Sequence, residues 1–233
     1  VLMNIQGYES LDTVMDRASK ALSPEEFEVI ANETGALMLD TRDASDFANG
    51  FIPNSINIGL EGNFAQWVGE MIPDVKQQIL LITDADKEEE AITRLSRVGY
   101  DHTVGYLKGG FATWRDSGKD FETVARISPT VFEKKLKAEK PLVIDVRKKS
   151  EYQSEHVIGA LNVPLNEINQ HLAQFPKDEP FILHCAGGYR SMIASAILKQ
   201  RGWDNFVDVI GGFKEISETA VPKSDYVCPT TLL

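Results

Sequence analysis

Phe181-Ile182-Leu183-His184-Cys185-Ala186-Gly187-Gly188-Tyr189-Arg190-Ser191 sets a thiol where an apolar run gives way to a helical pattern through two glycines. Phe181 to Leu183 read as a short buried strand, and Ser191 to Gln200 carry apolar residues at helical spacing. A tight glycine loop between a strand and a helix turns backbone N–H groups inward, and the helix N-terminus adds partial positive charge, so the loop is a cradle for an anion. Cys185 at its base would be stabilised as a thiolate by those donors and by the nearby cation Arg190. Ser191 suits a helix cap. His184, one residue before the thiol on a strand, is expected to point away from it and to pack rather than act as a base.

Working outward, the surroundings of this loop are written twice. Ser23-Pro24-Glu25-Glu26-Phe27 recurs as Ser128-Pro129-Thr130-Val131-Phe132, each an N-cap Ser followed by Pro at the first helical position. Leu37-Met38-Leu39-Asp40-Thr41-Arg42 recurs as Leu142-Val143-Ile144-Asp145-Val146-Arg147. Asp46-Phe47 answers Glu151-Tyr152, and Phe51 to Ile58 answers His156 to Val163. These pairs stand 105 positions apart, whereas Leu107-Lys108-Gly109-Gly110-Phe111 and Val209-Ile210-Gly211-Gly212-Phe213 stand 102 apart, so the second copy is shorter in its middle. A repeat of that length is a domain and not a solenoid unit. Short apolar runs alternating with helical patterns predict, in each copy, a mostly parallel sheet with helices on both faces. The expected organisation is an N-terminal extension over 1–20, a first domain over 21–120 and a second over 121–233, with the junction near Asp116-Ser117-Gly118-Lys119-Asp120.

The chain of 233 residues is 42% hydrophobic and 25% charged, which suits soluble α/β domains. No apolar run is long enough to span a bilayer and no signal peptide opens the chain, so a cytoplasmic location is expected. Its net charge of −11 argues against nucleic acid as a partner. The acidity is uneven: residues 1–125 hold 10 basic against 22 acidic groups, and 126–233 hold 14 against 13, so an anionic substrate meets less repulsion in the second half. Two cysteines form no disulfide framework, and Cys228 reads as an ordinary tail residue. Neither a metal site nor a cofactor is expected.

Taken together, the Asp145-x-Arg147 pair with Glu151-Tyr152, the His156 to Val163 segment, the Cys185 loop and Gly211-Gly212-Phe213 make the second half resemble a rhodanese domain, and the first half resembles another. The resemblance covers nearly all of 23–218. It implies a sulfurtransferase in which Cys185 carries sulfur as a persulfide, Ala186, Gly187, Gly188, Tyr189, Arg190 and Ser191 form the substrate-binding loop, and Asp145 and Arg147 form a supporting ion pair. The partners would be a small anionic sulfur donor, such as thiosulfate or a persulfide, and a thiol acceptor. In the first half, Ile79-Leu80-Leu81-Ile82-Thr83-Asp84 aligns with Pro180 to Cys185, which puts Asp84 at the nucleophile position, where it cannot carry sulfur. The acidic run Asp86-Lys87-Glu88-Glu89-Glu90 follows without a glycine, and Asp86 to Glu89 reads as a helix capping box. The first domain is therefore expected to be inactive.

Two other readings stay open. A cysteine phosphatase places five residues between Cys and Arg, against four here. The second is a non-catalytic sulfur-carrier or partner-binding module. A silent first copy, with Asn4 to Tyr8 and Asn63 to Gly69, also resembles the C-terminal part of metallo-β-lactamase-fold proteins of the persulfide-dioxygenase or glyoxalase-II-like type. That resemblance implies an upstream metallo-hydrolase domain outside this chain.

Overall fold

A computed structural model describes residues 11–228. The chain divides into two compact units that meet between Glu122 and Thr123. Each unit is a five-stranded, wholly parallel sheet of one topology.

The first unit contains α1 (Leu11–Ala18), β1 (Ala21–Leu22), α2 (Pro24–Thr34), β2 (Leu37–Asp40), α3 (Ala44–Asn49) and β3 (Ile56–Asn57). It continues through α4 (Phe64–Met71), β4 (Ile79–Ile82), α5 (Glu88–Ser96), β5 (Thr103–Leu107) and α6 (Gly110–Asp116). Its strand order is β1-β5-β4-β2-β3. α1 buries Val14 and Ala18 against β5 and α5, so this part of the N-terminal segment is built into the first unit. Asn4 to Tyr8 lie outside the described residues. At the other end Phe51 and Glu122 pair backbone to backbone, and Trp114 donates its indole N–H to the Asp120 carbonyl. The chain therefore stays on the first unit through its polar stretch at 116–120.

The second unit runs through β6 (Arg126–Ile127), α7 (Pro129–Glu139), β7 (Leu142–Asp145), α8 (Lys149–Ser154) and β8 (Leu161–Asn162). After two short 3-10 turns come β9 (Phe181–His184), α9 (Tyr189–Gln200), β10 (Phe206–Val209) and α10 (Gly212–Ile216), in strand order β6-β10-β9-β7-β8. The 3-10 turns, Leu165–Gln170 and Leu172–Gln174, stand where the first unit has α4, and this is where the repeat offset changes.

The local causes are visible in both copies. Ser23 caps α2 by accepting from the Glu26 N–H, and Glu26 returns a carboxylate to the Ser23 N–H. Ser128 caps α7 through the Val131 N–H, but Val131 has nothing to return. The middle strands, Ile79–Ile82 and Phe181–His184, are buried along their whole length, as strands covered on both faces must be.

Candidate active site

In each sheet the strand order reverses beside the middle strand, and the C-terminal edge at such a reversal is where open α/β sheets hold ligands. In the second unit the reversal falls between β7 and β9. Asp145 ends β7, and its carboxylate accepts the Arg147 backbone N–H at 2.9 Å and the guanidinium Nε and Nη2 at 2.9 and 2.7 Å. The same guanidinium donates to the Glu155 carbonyl and lies 3.9 Å over the Phe213 ring. The Asn162 amide bridges the Asp145 and Arg147 carbonyls, both at 2.9 Å. Asp40, Arg42, Asn57 and Phe111 repeat the arrangement in the first unit. Both ion pairs are nearly closed to solvent and fix the turn leaving the strand.

Cys185 leaves β9 as a buried thiol, and the Gly188 N–H donates to its Sγ at 3.1 Å. Gly188 sits at φ 101°, a conformation that favours glycine, and is the N-cap of α9. The helix begins at Tyr189, two residues earlier than the apolar spacing predicts. Tyr189, Arg190 and Ser191 therefore form its first turn, where backbone N–H groups have no partner within the helix. Ser191 is not the cap. Its hydroxyl is buried and donates to the Gly188 carbonyl at 3.2 Å.

From below, α10 grips the loop. Phe213 N–H donates to the Cys185 carbonyl at 2.7 Å and Lys214 N–H to the Ala186 carbonyl at 2.9 Å. The approach requires Gly212 at φ 57°, since a Cβ there would lie 2.5 Å from the Cys185 carbonyl oxygen. His184 is buried with Nδ1 3.1 Å from that oxygen and its ring stacked with Phe213. Burial holds its pKa below the ordinary value, so it is a neutral packing group at pH 7.

Arg190 does not stand open to an anion. Its two terminal nitrogens meet the Glu151 carboxylate of α8 at 2.5 and 2.8 Å, an ion pair that spans the crevice between β7 and β9. Burial pushes the Glu151 carboxyl up, but the hydrogen bonds and charge of Arg190 outweigh it and leave it below its ordinary value. On the other side of the loop Arg126 donates Nε to the Asp208 carboxylate at 3.1 Å. Burial raises Asp208 to about 6, against the lowering effect of the Ser191 hydroxyl and Arg126. Sequence reasoning passed over Glu151 as a site residue and over Arg126 and Asp208 altogether. The available signal was Asp208 itself, an acid inside the apolar run Phe206–Val209, because buried carboxylates are rare unless paired.

The first unit requires a correction. Asp40 pairs in register with Ile82, and Asp145 with His184, so Thr83, and not Asp84, stands where Cys185 stands. The two glycine turns agree: a Cβ on Gly110 would lie 2.5 Å from the Thr83 carbonyl oxygen, as one on Gly212 would from that of Cys185. The one-residue slip arises because the length difference falls before the middle strand, between Asn57 and Ile79 in the first copy and Asn162 and Phe181 in the second, where identity is too low to align. Thr83 is buried and its hydroxyl has no hydrogen-bond partner among the described residues. The expected capping box at Asp86 is also absent: Asp86 adopts φ 64°, Lys87 is the N-cap with no side-chain cap bond, and its ammonium meets Glu90 at 2.8 Å.

Cys228 is exposed. The segment before it is held by α8, Val227 N–H donating to the Ser154 carbonyl at 2.8 Å. Among the described residues no cluster of His, Cys, Asp or Glu could hold a metal ion, and no helix is long and apolar enough to cross a membrane.

Two parallel α/β units, one of which carries a thiol in a strand-to-helix loop at its sheet reversal, define a tandem-domain cysteine protein. Both units match the rhodanese-like domain model, over residues 23–117 and 128–219, and the chain belongs to that family. It is similar to the protein YqhL of Bacillus subtilis, 34% identical over 92 residues covering 39% of this chain and 73% of that one. It is also similar to the thiosulfate sulfurtransferase PspE of Escherichia coli, 39% identical over 82 residues covering 34% and 75%. A putative sulfur carrier protein of Bacillus subtilis, YrkF, is 26% identical over 109 residues, covering 46% of this chain and 57% of its own length.

Proposed function

We propose that the second unit is a sulfurtransferase that loads a sulfane sulfur onto Cys185 from thiosulfate or a persulfide and passes it to a thiol acceptor. The observation that carries this reading is the Gly188 N–H aimed at Cys185 Sγ, with the first turn of α9 beginning at the next residue. Donors fixed in a buried site stabilise a sulfur anion without reorganising. The Cys185 thiolate attacks the outer sulfur of the donor, the bond between that sulfur and the rest of the donor breaks, and the leaving group departs with the electron pair. The resulting Cys–S–S⁻ lies against the same donors, and attack by an acceptor thiol completes a double displacement. Both family membership and the relatives named for sulfur transfer or sulfur carriage support it.

In this reading Arg190 is the cation at the far end of the thiol loop, and Glu151 sets its position. The first unit is silent because an alcohol at Thr83 does not hold sulfur as a persulfide. Its role is that of a structural or partner-binding copy, and an upstream metallo-β-lactamase-fold domain is the context to look for in the complete gene. The test is thiocyanate formation from thiosulfate and cyanide, which is expected of the wild type and absent from Cys185→Ser. Absence of turnover from the wild type would leave the sulfur-carrier reading, and release of phosphate from small aryl phosphates would favour the phosphatase.

A further inference from the structure

We propose that Arg126, positioned by Asp208, recognises the anionic head of the sulfur donor; the inference rests on the sulfur-transfer reading of Cys185. Arg126 lies on β6 in register with Asp208 of β10, and Asp208 in turn lies in register with Leu183, two residues before the thiol. The strands are parallel, so both residues stand at the edge of the sheet from which the Cys185 loop rises. Asp208 is fully buried and holds the guanidinium by Nε, while Nη2 reaches toward the loop: it lies 3.7 Å from where a Cβ on Gly188 would be. Gly188 is the residue whose N–H touches Cys185 Sγ. A cation is thus fixed against the wall of the thiol's own cradle.

The molecule contains its own control. In the first unit the same register pair is Ala21 and Tyr106, so cation and carboxylate are both missing from the copy that lacks the thiol. The pair has no part in the shared architecture, since both sheets form with or without it. Both terminal nitrogens of Arg190 meet Glu151 across the crevice. A buried carboxylate is costly, and here it fixes a guanidinium rather than filling a core.

The chemistry assigns the donor to small compounds with an anionic group bonded directly to the sulfane sulfur, as the sulfonate is in thiosulfate. On attack by Cys185 a sulfur–sulfur bond forms to the enzyme, the bond between the outer sulfur and the sulfonate breaks, and sulfite leaves with the electron pair. Arg126 would hold the sulfonate and meet the charge that localises on it as the bond breaks. No external oxidant or reductant enters the step.

Arg126→Ala, Arg126→Lys and the unaltered site, each in a Cys228→Ser background, are compared for Cys185 persulfide formation by thiosulfate, with sulfur gain read by intact-protein mass spectrometry. Each is also reacted with S-methyl methanethiosulfonate, a neutral reagent that reports thiol reactivity alone. The expected result is a fall in thiosulfate kcat/KM of about ten- to a hundredfold for Arg126→Ala, partly restored in Arg126→Lys. The rate with the neutral reagent should change by less than about twofold. Equal losses with both reagents would show that Arg126 only shapes the loop, and unchanged thiosulfate loading would show that it has no part in recognition; either overturns the proposal. If the unaltered Cys185 gains no sulfur from any donor, it is the sulfur-transfer reading that fails.

Discussion

The carbonyl oxygen of Cys185 lies 2.5 Å from the point that a Cβ on Gly212 would occupy. The thiol loop and the start of α10 are thus interlocked backbone to backbone, and glycine is the residue that permits it. Gly212→Ala should destabilise the second unit by at least about 2 kcal/mol, because the new methyl meets main-chain atoms that cannot swing away and φ is 57°. Gly187→Ala, where nothing lies within 4 Å of the added Cβ, should be tolerated. Urea denaturation of both variants checks the pair, and equal stability would contradict the interlock.

Arg190 and Glu151 form one unit, so removing either alone changes the charge beside the thiol. Arg190→Ala leaves a half-buried carboxylate facing the sulfur anion and should slow thiosulfate loading by roughly tenfold or more. Glu151→Gln keeps the cation and should load nearly as well as the wild type. The double variant should recover part of the loss caused by Arg190→Ala, a coupling that a double-mutant cycle measures directly. Additive effects would mean that the two side chains act separately.

Asp208 gives the second unit a defined pH dependence. Its carboxyl is raised from 3.8 to about 6 by burial, so the folded protein binds this proton more tightly than the unfolded chain. The stability it contributes is fully present below about pH 4, falls as pH rises through about 6 and is absent above, on the order of 3 kcal/mol in all. Comparing wild type with Asp208→Asn by urea unfolding from pH 4 to 7 cancels the other carboxylates. The stability difference should move against the wild type across that window, and a constant difference would refute the assignment.

Thr83, at the position equivalent to Cys185, locates the test of the silent unit. Thr83→Cys in a Cys185→Ser background should gain no sulfur from thiosulfate, because Asp84 and Asp86 add negative charge to the loop. Replacing the whole loop by Cys185 to Ser191 is the change expected to succeed. Loading of Thr83→Cys alone would show that the cradle already exists there.

Much of this fold was legible because the repeat is carried by residues with strong local meaning. Ser-Pro starts a helix, Asp-x-Arg ends a strand, and the paired glycines cap and open α6 and α10. The Cys185 loop was legible for the same reason. The start of α9 was not, because Tyr189 and Arg190 carry no apolar period although they lie in its first turn. Nor were the ion pairs: Arg126 lies 82 positions from Asp208, and Arg190 lies 39 from Glu151, distances that only the sheet closes. Thr83 was displaced by Asp84 for want of sequence identity ahead of the middle strand, and strand register restored it.

The central claim is that Cys185 is the atom carrier. Intact-protein mass spectrometry after incubation with thiosulfate or glutathione persulfide tests it on wild type, Cys185→Ser and Cys228→Ser. The account predicts one added sulfur atom on the wild type and on Cys228→Ser, removable by a thiol reductant, and none on Cys185→Ser. Sulfur retained by Cys185→Ser and lost from Cys228→Ser would contradict it.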